Sequence, residues 1–461
     1  MKTHRKYIYR LFGLLFGILV FISACGDQNS NPVQSESNTQ KALALVVDHP
    51  THYVSNEVTC GEQYPCSTSI QAAINDASAG DSVQVLAGTY NESVVLKSGV
   101  AVQGAGVQNT TIDATGKGSA VIAMNLNPME LGNETKIDGF TIKGGSNYKG
   151  GGFYIFKSSI TMSNLVITGN RAEYGGGIYN YDFSSPIIAN TIIYGNIATT
   201  GGGIYNGYMS SPIIYNATII GNTASGSFAG GIRSNSDAIL TIQNSIITSN
   251  FGVGLAGSII SDYNVVWGNT LGDYNPGLKP GTHDISDDPK FVDAANGDYR
   301  LHTGSPCVDI GSNAEVPAGL ITDINGKSRI MDGNWDGTVV VDMGAVEYEL
   351  VPVIIPMLST LEGKAGRAMA IKFEMRVDSA IDPLQPFIHN EDLEIKISDT
   401  ANPDVILQTI HYGFETTDYR FNDPGQFYII NFKTAKIPAT YTLEILRGGS
   451  SIGKFTFITV K

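Results

Sequence analysis

The feature that most limits the folds open to this chain is an internal repeat. Four segments align: KGGGFYIFKSSITMSNLVITGN, YGGGIYNYDFSSPIIANTIIYGN, TGGGIYNGYMSSPIIYNATIIGN and AGGIRSNSDAILTIQNSIITSN. Their closing asparagines are Asn170, Asn196, Asn222 and Asn250, steps of 26, 26 and 28, and the inner Asn164, Asn190, Asn216 and Asn244 keep the same steps. Each unit holds three short apolar runs, such as Gly203-Ile204-Tyr205, Pro212-Ile213-Ile214 and Thr218-Ile219-Ile220, separated by Gly, Asn and Ser. None is long enough or helically spaced, so helical and leucine-rich repeats are excluded. Short strands in coils of this length stack as a parallel β-helix, each coil burying its apolar face against its neighbours. Register places Met162, Ile188, Ile214 and Ile242 in one inward column, with a second at Ile167, Ile193, Ile219 and Ile247. A third holds Phe153, Ile178, Ile204 and Ile232. Asparagine at a corner tolerates left-handed backbone and can bond the asparagine above it. The Gly triplets at 150–152, 175–177 and 201–203 mark tight turns. All of these features are structural and imply no chemistry.

The ends of the stack are also legible. In Ser69-Ile-Gln-Ala-Ala-Ile-Asn-Asp-Ala, residues Ile70, Ala73, Ile74 and Ala77 share one helical face, suited to plugging an open coil. The run GDSVQVLAGTYNESVVLKSGVAVQGAGVQNTTIDA that follows resembles the opening of pectin lyase-like and pectinesterase-like β-helix proteins. At the other end, DPKFVDAANGDYRLHTGSPCVDIGSN and DINGKSRIMDGNWDGTVVVDMGAVE resemble the closing, choice-of-anchor module of bacterial surface β-helix proteins. The GGGIY and G-N repeats are similar to those of polymorphic outer-membrane proteins. These resemblances imply a right-handed parallel β-helix and an exported compartment. They say little about activity, because the superfamily holds lyases, glycosidases, esterases and non-enzymatic adhesins.

The N-terminus points to the same compartment. Lys2, Arg5, Lys6 and Arg10 precede an apolar run over 11–22 and then Ile22-Ser23-Ala24-Cys25, the pattern of an export signal. Small residues before a Cys resemble the bacterial lipobox, which implies lipidation at Cys25 and anchoring to the outer membrane or cell surface, since Gly26 rather than an Asp follows. The polar stretch 26–44 reads as a flexible tether. The expected layout is thus a signal peptide at 1–25, the tether at 26–44, the β-helix with its caps at 45–349 and a second domain at 350–461. That last region alternates Met369, Ile371, Phe373, Met375 and Val377 with Lys372, Glu374 and Arg376 and offers six or seven strands in about 110 residues, which fits an immunoglobulin-like β-sandwich. The expected fold class is therefore all-β, a right-handed parallel β-helix solenoid followed by a small Ig-like β-sandwich. Asp418, Asn422 and Asp423 lie near a turn of the second domain. A net charge of −14 and pI near 4.9 argue against nucleic acid or anionic lipid as partners. Cys60 and Cys66 can close a short disulfide in an exported chain, and Cys307 has no evident partner.

Catalysis makes demands that the repeats do not meet. A pectate-lyase-like site needs clustered acids for calcium plus a basic residue, yet Lys149, Lys157, Arg171, Glu173, Asp182, Arg233 and Asp237 are scattered between coils. The paired acids of an inverting hydrolase are found only at Asp287-Asp288, outside the repeats. No catalytic residue is therefore assigned, and a divergent pectate-lyase-like polysaccharide lyase is kept as the alternative. Binding fares better. Tyr154, Tyr179 and Tyr205 share one register with Arg233 next in the column, and strand alternation turns them outward. An exposed aromatic ladder can pack against sugar rings, so polysaccharide or another envelope surface is the expected partner, although such a ladder can also serve only to stabilise the sheet. Finally, Asp332-Gly-Asn334-Trp-Asp336-Gly337 matches the start of a calcium loop, with Met343 where the bidentate Glu belongs and Asp342 beside it. Structural calcium on Asp332, Asn334, Asp336 and Asp342 is the expectation, an Asx-rich turn the alternative.

Overall fold

A computed structural model describes residues 49–57, 59–126, 134–226, 228–356, 362–364, 368–377, 393–411, 419–422, 427–433, 439–447 and 449–460. The chain divides into two units, residues 1–48 and His49–Lys461, and every described residue belongs to the second. Cys25, the signal, residues 26–44, Asp418 and Asp423 lie outside the described residues.

The body is a right-handed parallel β-helix. Its strands form three parallel faces. The first face runs from Thr51–Val54 through Ser82–Val85, Ala101–Gly104, Lys136–Lys143, Thr161–Thr168 and Ile187–Tyr194 to Ile259–Asp262. The second runs from Val94–Val95 through Phe153–Phe156, Ile178–Tyr181 and Ile204–Asn206 to Val253–Gly257. The third face is short: Ser146–Lys149, Arg171–Tyr174, Ile197–Thr200 and Thr223–Ala224. The three expected inward columns are present in register. Met162 pairs Ile188, Ile188 pairs Ile214 and Ile214 pairs Ile242, each with no exposed surface. The columns led by Ile167 and Phe153 are equally buried. Burying such a side chain stabilises by roughly 1.5–3 kcal/mol, which the stack repeats coil after coil.

One detail departs from the sequence reading. A coil holds four strand segments rather than three, because the third face was missed. Its strands, Arg171-Ala172-Glu173-Tyr174 for example, are largely polar and turn inward only small residues such as Ala198 and Ala224, so they carry no strong apolar alternation to detect. The two runs of the first face meet at the inner asparagine, which adopts left-handed backbone: φ is 50° at Asn164, 47° at Asn190, 49° at Asn216 and 50° at Asn244. That residue bends the strand by a corner without interrupting the stack.

The closing asparagines form a buried ladder. Nδ2 of Asn170 donates to Oδ1 of Asn196 (3.0 Å), Asn196 to Asn222 (3.0 Å), Asn222 to Asn250 (3.1 Å) and Asn250 to Asn269 (2.9 Å). Each Oδ1 also accepts the backbone N–H of the preceding asparagine. Beside the ladder, the glycine triplets bring backbone against backbone: a Cβ on Gly176 would lie 2.6 Å from the Gly202 carbonyl oxygen.

At the N-terminal end, helix Ile70–Asp76 buries Ile70, Ala73 and Ile74, and Ala77 at its C-cap is buried too. Its first turn is capped by Ser69 and by Glu92, whose carboxylate accepts from the N–H groups of Ile70 (2.8 Å) and Gln71 (3.0 Å). Cys60 and Cys66 are joined in a disulfide with Cα atoms 5.8 Å apart.

The C-terminal end does not close as a simple lid. Residues 291–348 fold back along the flank of the first face. The inner asparagines hold them there. Asn190 Nδ2 donates to Thr322 O (2.5 Å) and Asn216 Nδ2 to Asp342 O (3.3 Å), while Asn244 both donates to Ser312 O (2.9 Å) and accepts from Ser312 N (2.8 Å). Arg329, with no exposed surface, donates to Asn190 Oδ1 (3.0 Å) and to Glu347. Ile192 and Ile220, outward on the first face, are covered by Tyr299, Ala345 and Val346. The inner asparagines therefore anchor the closing module as well as turning the corner.

Beyond residue 350 the described strands form two sheets, one of four strands and one of five, mostly antiparallel. Their inner faces meet through Phe373, Tyr428 and Phe432 on one side and Tyr441, Phe455 and Phe457 on the other. Arg447 ties this region to the closing module, pairing with Asp332 and lying 4.5 Å from the Trp335 ring centre.

Candidate functional site

The outward tyrosines of the second face do stack in register: Tyr154 on Tyr179 at 5.7 Å and Tyr179 on Tyr205 at 5.3 Å, both pairs 9° from parallel. Arg233 pairs with Tyr205 as the next rung. The expectation of an exposed ladder fails in one respect. Tyr179 is only 2% exposed. Two causes are visible: the rings spend their faces on each other, and Lys149 lies 5.4 Å from the Tyr179 ring centre and 5.2 Å from that of Tyr181. Burial pushes the Tyr154, Tyr179 and Tyr205 hydroxyls above their ordinary values, so these rings stay neutral. Tyr205 accepts from Asn235 (2.8 Å). Tyr179 is thus a wall rather than a contact surface, with Tyr154 and Tyr205 half-buried on either side.

The wall belongs to a wider aromatic band. On one side Tyr205 meets Tyr174 (5.4 Å), which meets Tyr148 (5.7 Å) on the third face. On the other, Tyr179 stacks on Tyr181 (5.5 Å), Tyr181 on Tyr208 (5.6 Å), and Tyr208 meets Phe183 edge-on (5.9 Å). Phe156 lies parallel to Tyr154 at 6.3 Å. The most exposed rings lie at the two margins, where Tyr148 is 63%, Phe183 56% and Tyr208 45% exposed, while Tyr154, Phe156, Tyr174, Tyr181 and Tyr205 are half-buried.

The second margin is held under backbone strain. Asp182 and Phe183 have φ of 59° and 61°, and Tyr208 and Met209 in the next coil 43° and 54°. Bulky side chains seldom adopt this region, at a cost of roughly 1–3 kcal/mol each. The same corner is left-handed in the coils below, at Asn125 and Lys157 (φ of 55° and 48°), and on two successive coils this turn carries Phe183, Tyr208 and Met209 in solvent. Sequence alternation could not reveal this, because the residues sit in turns; the shared spacing of Asp182-Phe183 and Tyr208-Met209 after each strand was the available signal.

The first margin borders a groove of about 300 Å³ on the third face, lined among others by Asn147, Tyr148, Arg171, Glu173, Thr199 and Ser225. Thr199 donates to Glu173 (2.9 Å). Arg171 pairs in register with Ile197 rather than with an acid. The groove holds one carboxylate and one guanidinium among amide and hydroxyl groups, an arrangement suited to hydrogen-bonding hydroxyls.

The remaining candidates are dispersed. Lys157 pairs with Asp182 (3.3 Å), and Asp288 N–H bonds Asp287 in an exposed turn (2.7 Å). In the 332–337 loop the oxygens are occupied by the loop itself: Asp332 accepts from Asp336 N (3.0 Å), Gly337 N (3.3 Å) and Arg447, and Asn334 Oδ1 from Asp336 N (2.9 Å). Asp342 lies apart from it, fully buried, accepting from Asp309 N (2.7 Å) and from Tyr348 N. Among the described residues no three His, Cys, Asp or Glu gather in a way that could hold a metal ion. The loop is arranged as an Asx-rich turn with an ion pair to Arg447. Cys307 is buried and burial raises its thiol to about 12, an inert state.

Residues 96–270 match the family described as right handed beta helix region, which spans the repeats and the aromatic band. Comparison with curated proteins gives no match.

Proposed function

We propose that this chain is an exported, lipid-anchored surface protein that binds polysaccharide without catalysis, through the two exposed margins of its aromatic band. The observation that carries the reading is the strained pair of turns that keeps Phe183 and Tyr208 in water. Their contacts with each other and with Tyr181 leave about half of each ring in water, and a sugar ring laid on them recovers that apolar surface. The groove beside Tyr148 adds amide, hydroxyl and guanidinium donors for the hydroxyls of a chain crossing the band. Charge is balanced rather than paired for acid–base work, which favours binding over the lyase alternative. Lipidation at Cys25 and the tether over 26–44 would hold the β-helix off the membrane, with an Ig-like C-terminal domain as spacer.

Polysaccharide pull-down with the purified chain tests the reading. Tyr148→Ala and the pair Phe183→Ala/Tyr208→Ala each weaken binding at least tenfold, whereas Tyr179→Ala acts chiefly on stability. Equal retention of wild type and both margin variants on every polysaccharide would remove the band from the function. Appearance of unsaturated product from uronate polymers with added calcium would replace binding by the lyase reading. Replacement of Cys25 by Ser should release the chain from the membrane fraction.

A further inference from the structure

A cavity of about 820 Å³ shares no lining residue with the band or its groove. It exists because the closing module, folded back along the first face, covers Ile220 and most of Ile192 but leaves the edge of Ile192, Val166 and the neighbouring coil turn beside an open bowl. Val166, Ile192, Ile324 and Val346 make an apolar floor. One wall is the coil turn carrying Gln108 and Asn109; the other is the module, with Asn296 and Asn325.

We infer that this bowl is a second binding site, for a neutral oligosaccharide. Three observations select that ligand class. First, its cations are already compensated. Arg300 is clasped by Asp298, with Nε–Oδ1 at 2.9 Å and Nη2–Oδ2 at 2.7 Å, and Lys327 pairs with Glu349 at 3.0 Å. An anionic sugar would find no free charge, and a cationic one no free carboxylate. Second, the rim is built of primary amides. The exposed Gln108 and Asn325 side chains have no hydrogen-bond partner among the described residues, so each offers both a donor and an acceptor to vicinal hydroxyls. Third, the strip of aliphatic side chains between them suits the C–H face of pyranose rings. The volume lies within the roughly 300–1,000 Å³ of ordinary ligand sites, room for an oligosaccharide of a few rings. The inference does not depend on the aromatic band.

Saturation-transfer NMR and calorimetry on the full chain test it, with cellotetraose, xylotetraose, mannotetraose and maltotetraose as probes and tetragalacturonate as the charged comparison. At least one neutral probe binds, tetragalacturonate does not, and Gln108→Ala/Asn325→Ala weakens binding tenfold or more while leaving the circular dichroism spectrum unchanged. Phe183→Ala/Tyr208→Ala leaves this binding intact, which separates the site from the band. The inference is overturned if no neutral probe binds, if tetragalacturonate binds at this rim, or if the rim pair has no effect. Loss of binding in the band variant alone would assign the ligand to the band instead.

Discussion

Replacing Asn222 by alanine removes the middle rung of the buried ladder, and its cost can be worked out bond by bond. The Asn222 amide donates to Ile193 O (2.8 Å), Ile220 O (3.3 Å) and Asn250 Oδ1 (3.1 Å) and accepts from Asn196 N (3.1 Å) and Asn196 Nδ2 (3.0 Å). After truncation the Asn196 backbone N–H is buried with no acceptor, a penalty of about 1–3 kcal/mol. The carbonyls and the Asn250 oxygen lose one donor each, and an intramolecular hydrogen bond contributes about 1 kcal/mol net. Because the losses share one corner they do not add fully, and about 3–5 kcal/mol is expected. That is a large part of the roughly 5–15 kcal/mol of a typical domain. Urea unfolding followed by far-ultraviolet circular dichroism reads the total, and hydrogen exchange at the Asn196 amide reads the orphan directly. Ser146→Ala, exposed on the third face, is the comparison and should cost under about 0.5 kcal/mol. A loss below about 1 kcal/mol with the Asn196 amide still protected would refute the argument that the ladder holds this corner.

Other substitutions have equally definite outcomes. Asn180 points into the helix with no exposed surface, and neither amide atom has a hydrogen-bond partner, so Asn180→Leu raises stability by about 1–3 kcal/mol; a lower urea midpoint would contradict this. Gly176→Ala forces a Cβ to 2.6 Å from the Gly202 oxygen and should lower the melting temperature by several degrees, whereas a change within error would show that the coils can separate locally. Burial holds the Asp342 and Glu347 carboxyls above their ordinary values despite Arg329. The folded state therefore keeps protons that the unfolded chain releases. The resulting stability is fully present below about pH 4 and is lost as pH rises through the raised folded values. Hydrogen exchange over residues 342–348 should quicken as pH rises from 4 to 8, after correction for intrinsic rate, and Glu347→Gln should flatten that trend; an unchanged trend would place the titration elsewhere.

Much of the fold was legible in the sequence because a β-helix is nearly one-dimensional. Each coil meets only its neighbours, so a constant step between Asn170, Asn196 and Asn222 already states which residues lie above one another. The inward isoleucine columns and the asparagine ladder follow from that step alone, and the helix at the N-terminal opening from the one apolar face of Ile70, Ala73, Ile74 and Ala77. The third face was not legible, since its inward column, Ala172, Ala198 and Ala224, is made of small residues among polar ones.

The candidate site divides the same way. Register in the sequence determined that Tyr154, Tyr179 and Tyr205 stack and that Arg233 follows, because register is a count of residues. Exposure is not. Whether a ring meets water depends on what crosses it from other coils and faces, and only the tertiary structure placed Lys149 and Tyr181 against Tyr179, set Tyr174 against Tyr205, and left Tyr148, Phe183 and Tyr208 at the margins. The closing module shows the same limit. Its contacts join residues more than a hundred positions apart, such as Asn190 and Arg329, and no local pattern encodes which flank it folds back upon. The sequence by itself determined the solenoid and its stacked columns; the tertiary structure decided which surfaces of those columns remain free to bind, because that depends on packing between segments no repeat relates.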